Sequence, residues 1–496
     1  MLVLCYSIDA NNKTKGRLTN IMNNTIIAQT FIDFASKIFH TLDTDITNNI
    51  GEWAKELNSI CEDGITKFMG AYYEALDHEL KASTVRKSEK LKVKESGCTR
   101  AIGTSLGCVE YKRTYYQTDT GKFIYLLDYL IGVEPYERLD KELCADLVNL
   151  CSEMSFQKVA DFNDNVVSRQ TINNKLLAMD ELVADVKEEK IKSDEIHIFV
   201  DEGHTSIKTK KGKRNVQVPI ATVTGGVDTT NSNRHKLINP LYLASYYGSP
   251  DKFFDTLYAI TNRKFDLDYA KNIYIHSDAG AWIKTAKNYF CDATFVMDEF
   301  HLEKHFKKLS HYCEPHEISS LRQALKNNLK DKFFQILTNV KDRIQDRKEF
   351  NKFEEEEIYF RKNWNPIITR VTGKMCGSCT EPIVSHLFAE RISRNPGAWT
   401  PAGLQSMTML RAYKANGCKV TSSDINVSRN KTRESQKRKR MKLEGYEKYE
   451  NYIKEESKRI AKEVSEYYFG HLPDYVIDTT SGTQKLLSLL GTPRMQ

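Results

Sequence analysis

The 496-residue sequence has no run of about 20 apolar residues, the length a helix needs to cross a bilayer. A membrane role is not expected. Its start, MLVLCYSIDANNKTKGR, lacks the basic opening, long apolar stretch and small-residue cleavage site of a secretory signal. The first 21 residues carry no periodic pattern, and Met22 opens the first segment that does, so Met22 is an alternative start. No disulfide framework is evident: the 11 cysteines are odd in number and scattered, which fits reduced thiols in a bacterial cytoplasm. There is no internal repeat and no strong charge imbalance. Basic residues number 73 and acidic residues 66, a net charge of +7, so where the charges lie matters more than their sum. Hydrophobic residues make up 40% and charged residues 28%, the balance of a soluble chain with a sizeable core.

The length exceeds one ordinary domain, and the patterns divide it into seven segments. Residues 1–95 read as helical, with apolar positions three and four apart such as Ile27, Phe31, Phe34 and Ile38. Residues 96–138 read as a small β-rich segment: a Gly-, Ser- and Thr-rich change at Ser96–Gly107, the alternating strand CVEYKRTYYQ, a turn, then the apolar run FIYLLDYLIG. Residues 139–190 have the outline of a helix-turn-helix. Ser168 caps the second helix, Ile172 faces inward, and Arg169, Gln170, Thr171 and Asn173 face out where DNA bases would be read; an ordinary helical hairpin has the same outline. Residues 191–309 alternate strands and helices in the order three strands, helix, strand, helix, strand, which is the order of an RNase H-like fold. Residues 310–372 form a charged helical insertion, 373–415 hold a helix with Glu381, and 416–496 are basic and helical. The fold class expected is α/β, an RNase H-like core between mainly helical flanks.

Two acids stand out. Asp201 follows the apolar run IHIFV and Asp278 follows NIYIHS, so each closes a strand that belongs in a sheet interior. A buried acid is costly unless something pairs with it. Two such acids aimed into one space repel and call for a cation. Mg²⁺, or Mn²⁺, suits carboxylate oxygens, and a pair of such ions can run phosphoryl transfer on DNA. Glu381 is the best third acid. Glu202 faces the other side of its strand from Asp201, and Glu390 lies too far along the helix. His301 and His305 are four apart on a helix but lack the adjoining Glu of a zinc protease; His305 reads as structural or exposed. Cys376 and Cys379 form a single CxxC with no second pair to complete a zinc site. Basic residues cluster at Lys208, Lys210, Lys211, Lys213 and Arg214, and again at Lys437, Arg438, Lys439 and Arg440; beside a nuclease site these favour contact with DNA phosphates.

The segments FVDEGH, SDAGAWIK, MDEFHLEKH and CGSCTEPIVSHLFAERISRNPGAW resemble the signature blocks of the ISLre-two family of bacterial insertion-sequence transposases, part of which is catalogued as uncharacterised proteins. YKRTYY, GKFIYLLDYLIG and PYERLD resemble that family too, and together these segments cover residues 98–412 in family order. The resemblance implies a DDE catalytic triad at Asp201, Asp278 and Glu381. A wider resemblance to Mutator-like transposases rests on Asp298-Glu-Phe-His301, an accessory motif between the second Asp and the Glu. The function implied is binding of terminal inverted repeats, metal-dependent strand cleavage and joining to target double-stranded DNA, by a homo-oligomer associated with the nucleoid. A non-transposing RNase H-like nuclease or resolvase, and a DNA-binding relic without catalysis, are the competing readings.

Overall fold

A computed structural model describes residues 25–44, 50–83, 86–87, 89–163, 167–179, 182, 189–209, 212–228, 230, 236–246, 248–373, 375, 380–394 and 399–425. Both candidate starts, Lys210, Lys211, Cys376, Cys379 and the basic run with Lys437, Arg438, Lys439 and Arg440 lie outside these residues. The chain separates into two compact units, residues 1–180 with 419–435 and residues 181–418 with 436–496.

The first unit opens with helices α1 (Thr25–Thr44) and α2 (Ile50–Ala82). Gly64 of α2 lies directly under the Phe34 ring, and only a residue without a side chain leaves room for it. Strands β1 (Lys92–Thr104), β2 (Gly107–Gln117) and β3 (Phe123–Tyr125) form an antiparallel sheet. Strand β1 takes up most of the Ser96–Gly107 stretch, which in sequence reads only as a Gly-, Ser- and Thr-rich change. Eight of the 13 residues of β1 are exposed and only Ile102 is buried, so no apolar alternation marks it. Helix α2 packs on β2, where Asp77 accepts from the Thr114 amide (3.0 Å) and hydroxyl (2.6 Å). A short helix α3 (Leu126–Leu130) follows, then α4 (Lys141–Cys151), α5 (Phe156–Phe162) and α6 (Arg169–Ala178). The last three are capped by the side chains of Asp140, Ser155 and Ser168. The stretch after residue 418 returns to this unit: buried Asn149 donates to the Val420 carbonyl (2.9 Å) and accepts from its amide (3.0 Å).

The second unit is built on a mixed five-stranded sheet. The antiparallel hairpin β4 (Glu195–Thr209) and β5 (Gly212–Thr224) leads through a minor pair, β6 (Val227–Asp228) and β7 (Lys236–Leu237), to β8 (Leu241–Ala244). Helix α7 (Pro250–Lys264), β9 (Asn272–Ser277), a 3₁₀ helix (Ala281–Asn288) and β10 (Thr294–Met297) complete it. The element order agrees with the sequence reading, except that the expected helix after Asp278 is a 3₁₀ helix. The spatial order is β10-β9-β4-β5-β8, with β10, β9 and β4 parallel. One face of the sheet packs Ile196, Ile198, Val200 and Ile275 against Phe254, Leu257 and Ile260 of α7 and Ile283 of the 3₁₀ helix. Full burial of each such side chain stabilises the fold by roughly 1.5–3 kcal/mol.

Five helices follow: α8 (Glu299–Leu309), α9 (Pro315–Lys326), α10 (Lys330–Lys341), α11 (Arg347–Lys362) and α12 (Trp364–Thr372), the last four within the stretch 310–372 that reads as helical in sequence. They share a core of their own around Leu321, Phe333, Phe353 and Phe360. A short helix α13 (Thr380–Ile383) continues as a π-helix (Val384–Ser393), and α14 (Pro401–Ala415) ends the described part of the unit. The Glu-bearing helix is therefore wider-wound than the α-helix its apolar spacing predicts. Arg411 of α14 donates to the Leu387 and His386 carbonyls along it. No helix among the described residues is long and apolar enough to cross a membrane.

Candidate active site

Strand β4 corrects one part of the sequence reading. It does not stop at Asp201 but continues to Thr209, paired with β5 throughout (Asp201↔Ile220 to Thr209↔Gly212). What ends near Asp201 is the pairing with β9, whose last partners are Phe199↔His276. Carrying that register two residues further sets Asp201 beside Asp278. The β9–β10 register, with Met297↔Ser277 as its last pair, carried one residue further sets Asp298 on the other side of Asp278. Neighbouring strands lie about 4.8 Å apart, so this register sets the three aspartates in a row where β9 and β10 end and β4 runs on, and the charges of Asp278 and Asp298 both act on Asp201.

Each carboxylate accepts from a backbone amide just ahead of it, Asp201 within its strand and Asp278 in the turn that follows β9. Asp201 Oδ1 accepts from the Glu202 amide (2.8 Å) and Asp278 Oδ1 from the Gly280 amide (2.8 Å). Between them, Ala279 has φ +65°, a left-handed conformation costing a non-glycine residue about 1–2 kcal/mol. Replacing Ala279 by Gly is expected to raise unfolding stability by about 1 kcal/mol in urea titration. A lower midpoint would show that contacts of the Ala279 methyl outweigh the strain.

Asp298 caps α8. Its Oδ1 accepts from the His301 amide and faces His301 Nδ1, both at 3.2 Å, while its Oδ2 accepts from Thr380 Oγ1 (3.1 Å). Asp298 is therefore a hub between α8 and α13. The hydrogen bond to Asp298 raises the His301 pKa above the usual histidine range, assisted by Asp201 and Asp278. Burial lifts Asp201 from the ordinary 3.8 to about 6; the Glu202 amide and His301 lower it, and the charges of Asp278 and Asp298 raise it further. Among the described residues no hydrogen bond reaches Asp201 Oδ2 or Asp278 Oδ2, which leaves one oxygen on each for a ligand. No three His, Cys, Asp or Glu side chains among the described residues converge tightly enough to enclose an ion. Mg²⁺ does not need such a cage, since it commonly keeps several waters and takes one or two carboxylates. A half-buried aspartate with a raised pKa beside a second one fits that donor set.

The remaining candidates are distributed as follows. Thr380 is buried against Asp298, and Glu381, next to it, is exposed and is not among the groups acting on Asp201 or His301. Its helix nevertheless crosses the face of β4 that carries Asp201: Phe388 covers Gly203, two residues along on that face. Glu202 points to the opposite face, where burial raises its pKa. Glu390 is exposed, near Arg411 (3.7 Å) and His386 (4.0 Å). His305 is structural, as expected: it stacks on Tyr359 and bonds Glu356, which Lys308 also reaches (2.6 Å). Lys208 and Lys213 are exposed cross-strand partners near the tip of the β4–β5 hairpin, and exposed Arg214 lies opposite Ile207. In the first unit, Arg169 and Gln170 are exposed, Thr171 and Asn173 half-buried, and Ile172 fully buried.

Sequence reasoning missed His197, His276 and Arg370, which lie together beneath the row: His276 Nε2 is 3.0 Å from His197 Nδ1, and Arg370 Nη2 is 3.1 Å from His276 Nδ1. Burial holds the pKa of both histidines down, His276 well below its ordinary value. A signal existed. His276 shares the strand face of Asp278, and Arg370 continues the buried stripe of Trp364 and Ile367 at spacing three.

The family described as "Uncharacterised protein family (UPF0236)" matches residues 45–429. The chain belongs to this family. Two UPF0236 relatives come from Caldanaerobacter subterraneus: one is 26% identical over 83% of this chain and 85% of its own length, the other 26% identical over 79% and 84%. The printed name of the second joins eleven loci of one genome. A UPF0236 protein of Streptococcus gallolyticus, named for its position in a vanSb 3′ region, is 21% identical over 75% of this chain and 84% of its own length. None of these names states an activity.

Proposed function

We propose that the chain is a DDE-type transposase that moves the insertion sequence encoding it. The observation that carries this reading is the in-register row of Asp201, Asp278 and Asp298, with the Glu381 helix laid across the same sheet face. The strand order supports an RNase H-like core: numbered along the sheet from β8 to β10, the chain's five main strands run 3-2-1-4-5. The relative named for eleven loci supports mobility, because one protein sequence at many loci is what a self-copying element leaves behind.

In this reading Asp201 and Asp278 would hold a divalent metal through their open oxygens, with Glu381 as the third acid. Bound there, a pair of such ions would supply the activation of a water or 3′ hydroxyl and the neutralisation of the leaving oxygen. Asp298 and His301 keep the row fixed and place an imidazole beside it. Double-stranded DNA is the partner. Lys208, Lys213 and Arg214 would contact phosphates, and α6, as the second helix of a helix-turn-helix, would read the terminal repeats through Arg169 and Gln170.

The decisive test uses the full chain, Mg²⁺ or Mn²⁺, and duplexes carrying the DNA that flanks its gene. The expected products are nicked ends and ends joined to target DNA. Cleavage without joining would turn the reading to a nuclease or resolvase, and binding without cleavage under any metal condition to a relic. A second expectation concerns the hairpin tip. The double variant K208E/K213E should bind end DNA more weakly, and its log–log salt slope should fall by about 2, roughly 0.9 per lost phosphate contact. An unchanged slope would remove the hairpin from the interface.

A further inference from the structure

We infer that Arg370 is a positioning residue for the carboxylate row, locking the helical insertion onto the strand ends that carry Asp278 and Asp298. The inference rests on reading the row as a catalytic site. Arg370 Nε donates to the Met297 carbonyl (2.9 Å), one residue before Asp298, and Nη2 donates to His276 Nδ1 (3.1 Å), two residues before Asp278. One planar side chain from α12 thus grips both neighbouring strands just below their acids.

The contact also fixes protons. Guanidinium has no acceptor, so His276 Nδ1 must present a lone pair and its proton sits on Nε2. That proton points at His197 Nδ1 (3.0 Å), which places the second ring's proton on Nε2, facing the Glu195 carboxylate (3.6 Å). The chain therefore runs in one direction, from Arg370 through two neutral imidazoles to Glu195. His276 is fully buried and His197 and Arg370 nearly so. Such a network is directional where the surrounding apolar contacts are not, and a partly satisfied one is costly. Lysine keeps the charge but lacks the planar fork that reaches two acceptors.

The test combines selective ¹⁵N-histidine NMR with single-turnover cleavage of end DNA, on the full chain. Wild type should show His276 and His197 as neutral Nε2–H tautomers, assigned with His276→Gln and His197→Gln. Arg370→Met should fold cooperatively, lose the single His276 tautomer, and cleave about a hundredfold more slowly with the half-saturating DNA concentration unchanged. Arg370→Lys should recover part of the rate. The inference is overturned if wild-type His276 carries its proton on Nδ1, or if Arg370→Met cleaves at the wild-type rate while Asp201→Asn does not. If Asp201→Asn is also fully active, the catalytic reading itself has failed, and the inference with it. Should Arg370→Met not fold, Arg370→Lys carries the test, and a wild-type rate in that variant overturns the inference.

Discussion

Asp201→Asn and Asp278→Asn are each expected to lower metal-dependent strand cleavage by on the order of 10³-fold or more, while leaving DNA binding and the fold in place. Each change keeps the shape of the side chain and removes one charge from the row. It should relieve repulsion, so the variants should be at least as stable as wild type without metal. The cation response separates this from a merely structural role. Mg²⁺ or Mn²⁺ at a hundredfold excess over Kd should stabilise wild type by about 2.7 kcal/mol, and the variants much less. The pH dependence has a defined sign. The Asp201 pKa in the folded chain is raised from 3.8 to about 6, so its contribution to stability is fully present below the lower value and is lost as pH rises through the upper one. A bound cation competes with that proton, and its stabilisation should therefore weaken as pH falls below about 6. An Asp278→Asn protein that cleaves normally with Mg²⁺ would remove that residue from the site.

The second large effect is mechanical. Gly203 does not have a left-handed backbone, so what it provides is room. A Cβ there would lie 2.7 Å from Cγ and Cε1 of Phe388. Phe388 is itself 1% exposed and cannot swing away. Gly203→Ala should cost about 1–3 kcal/mol by overpacking and Phe388→Ala about 3–5 kcal/mol by leaving a cavity. Because the clash lies between β4 and the helix that bears Glu381, Gly203→Ala should also slow cleavage by about a hundredfold. Pairing Gly203→Ala with Phe388→Leu should recover stability, with a coupling of about 1 kcal/mol or more in a double-mutant cycle. Strict additivity would mean that the two residues do not share the contact.

The sequence makes the acids legible for a physical reason. Asp201 and Asp278 each end an apolar run, and a charge in that setting stands out. Asp298 is readable only through the motif it shares with His301, because the strand before it is four residues long. Glu381 is weaker still: its spacing marks a helix, and only resemblance selects it over Glu390. The length of β4 was hidden because Asp201, Glu202 and His204 look like a strand end. The structure keeps the backbone extended there by pairing with β5 and by packing Ile207 beside Trp399. Strand β1 was hidden because an exposed strand has no apolar alternation. Arg370 needed the third dimension, since its two acceptors are 73 and 94 residues away in the chain.

If the chain binds DNA as proposed, the long hairpin would also act as a ruler. A strand advances about 3.4 Å per residue, nearly the 3.4 Å by which successive phosphates of one DNA strand advance along the duplex axis. From Asp201 to Thr209 the hairpin is therefore as long as about eight base pairs of duplex. A duplex lying along it, with a phosphate at the carboxylate row, would meet the paired lysines of the tip most of a helical turn from the cut, and shortening the hairpin by two residues on each strand would move that contact by about two base pairs.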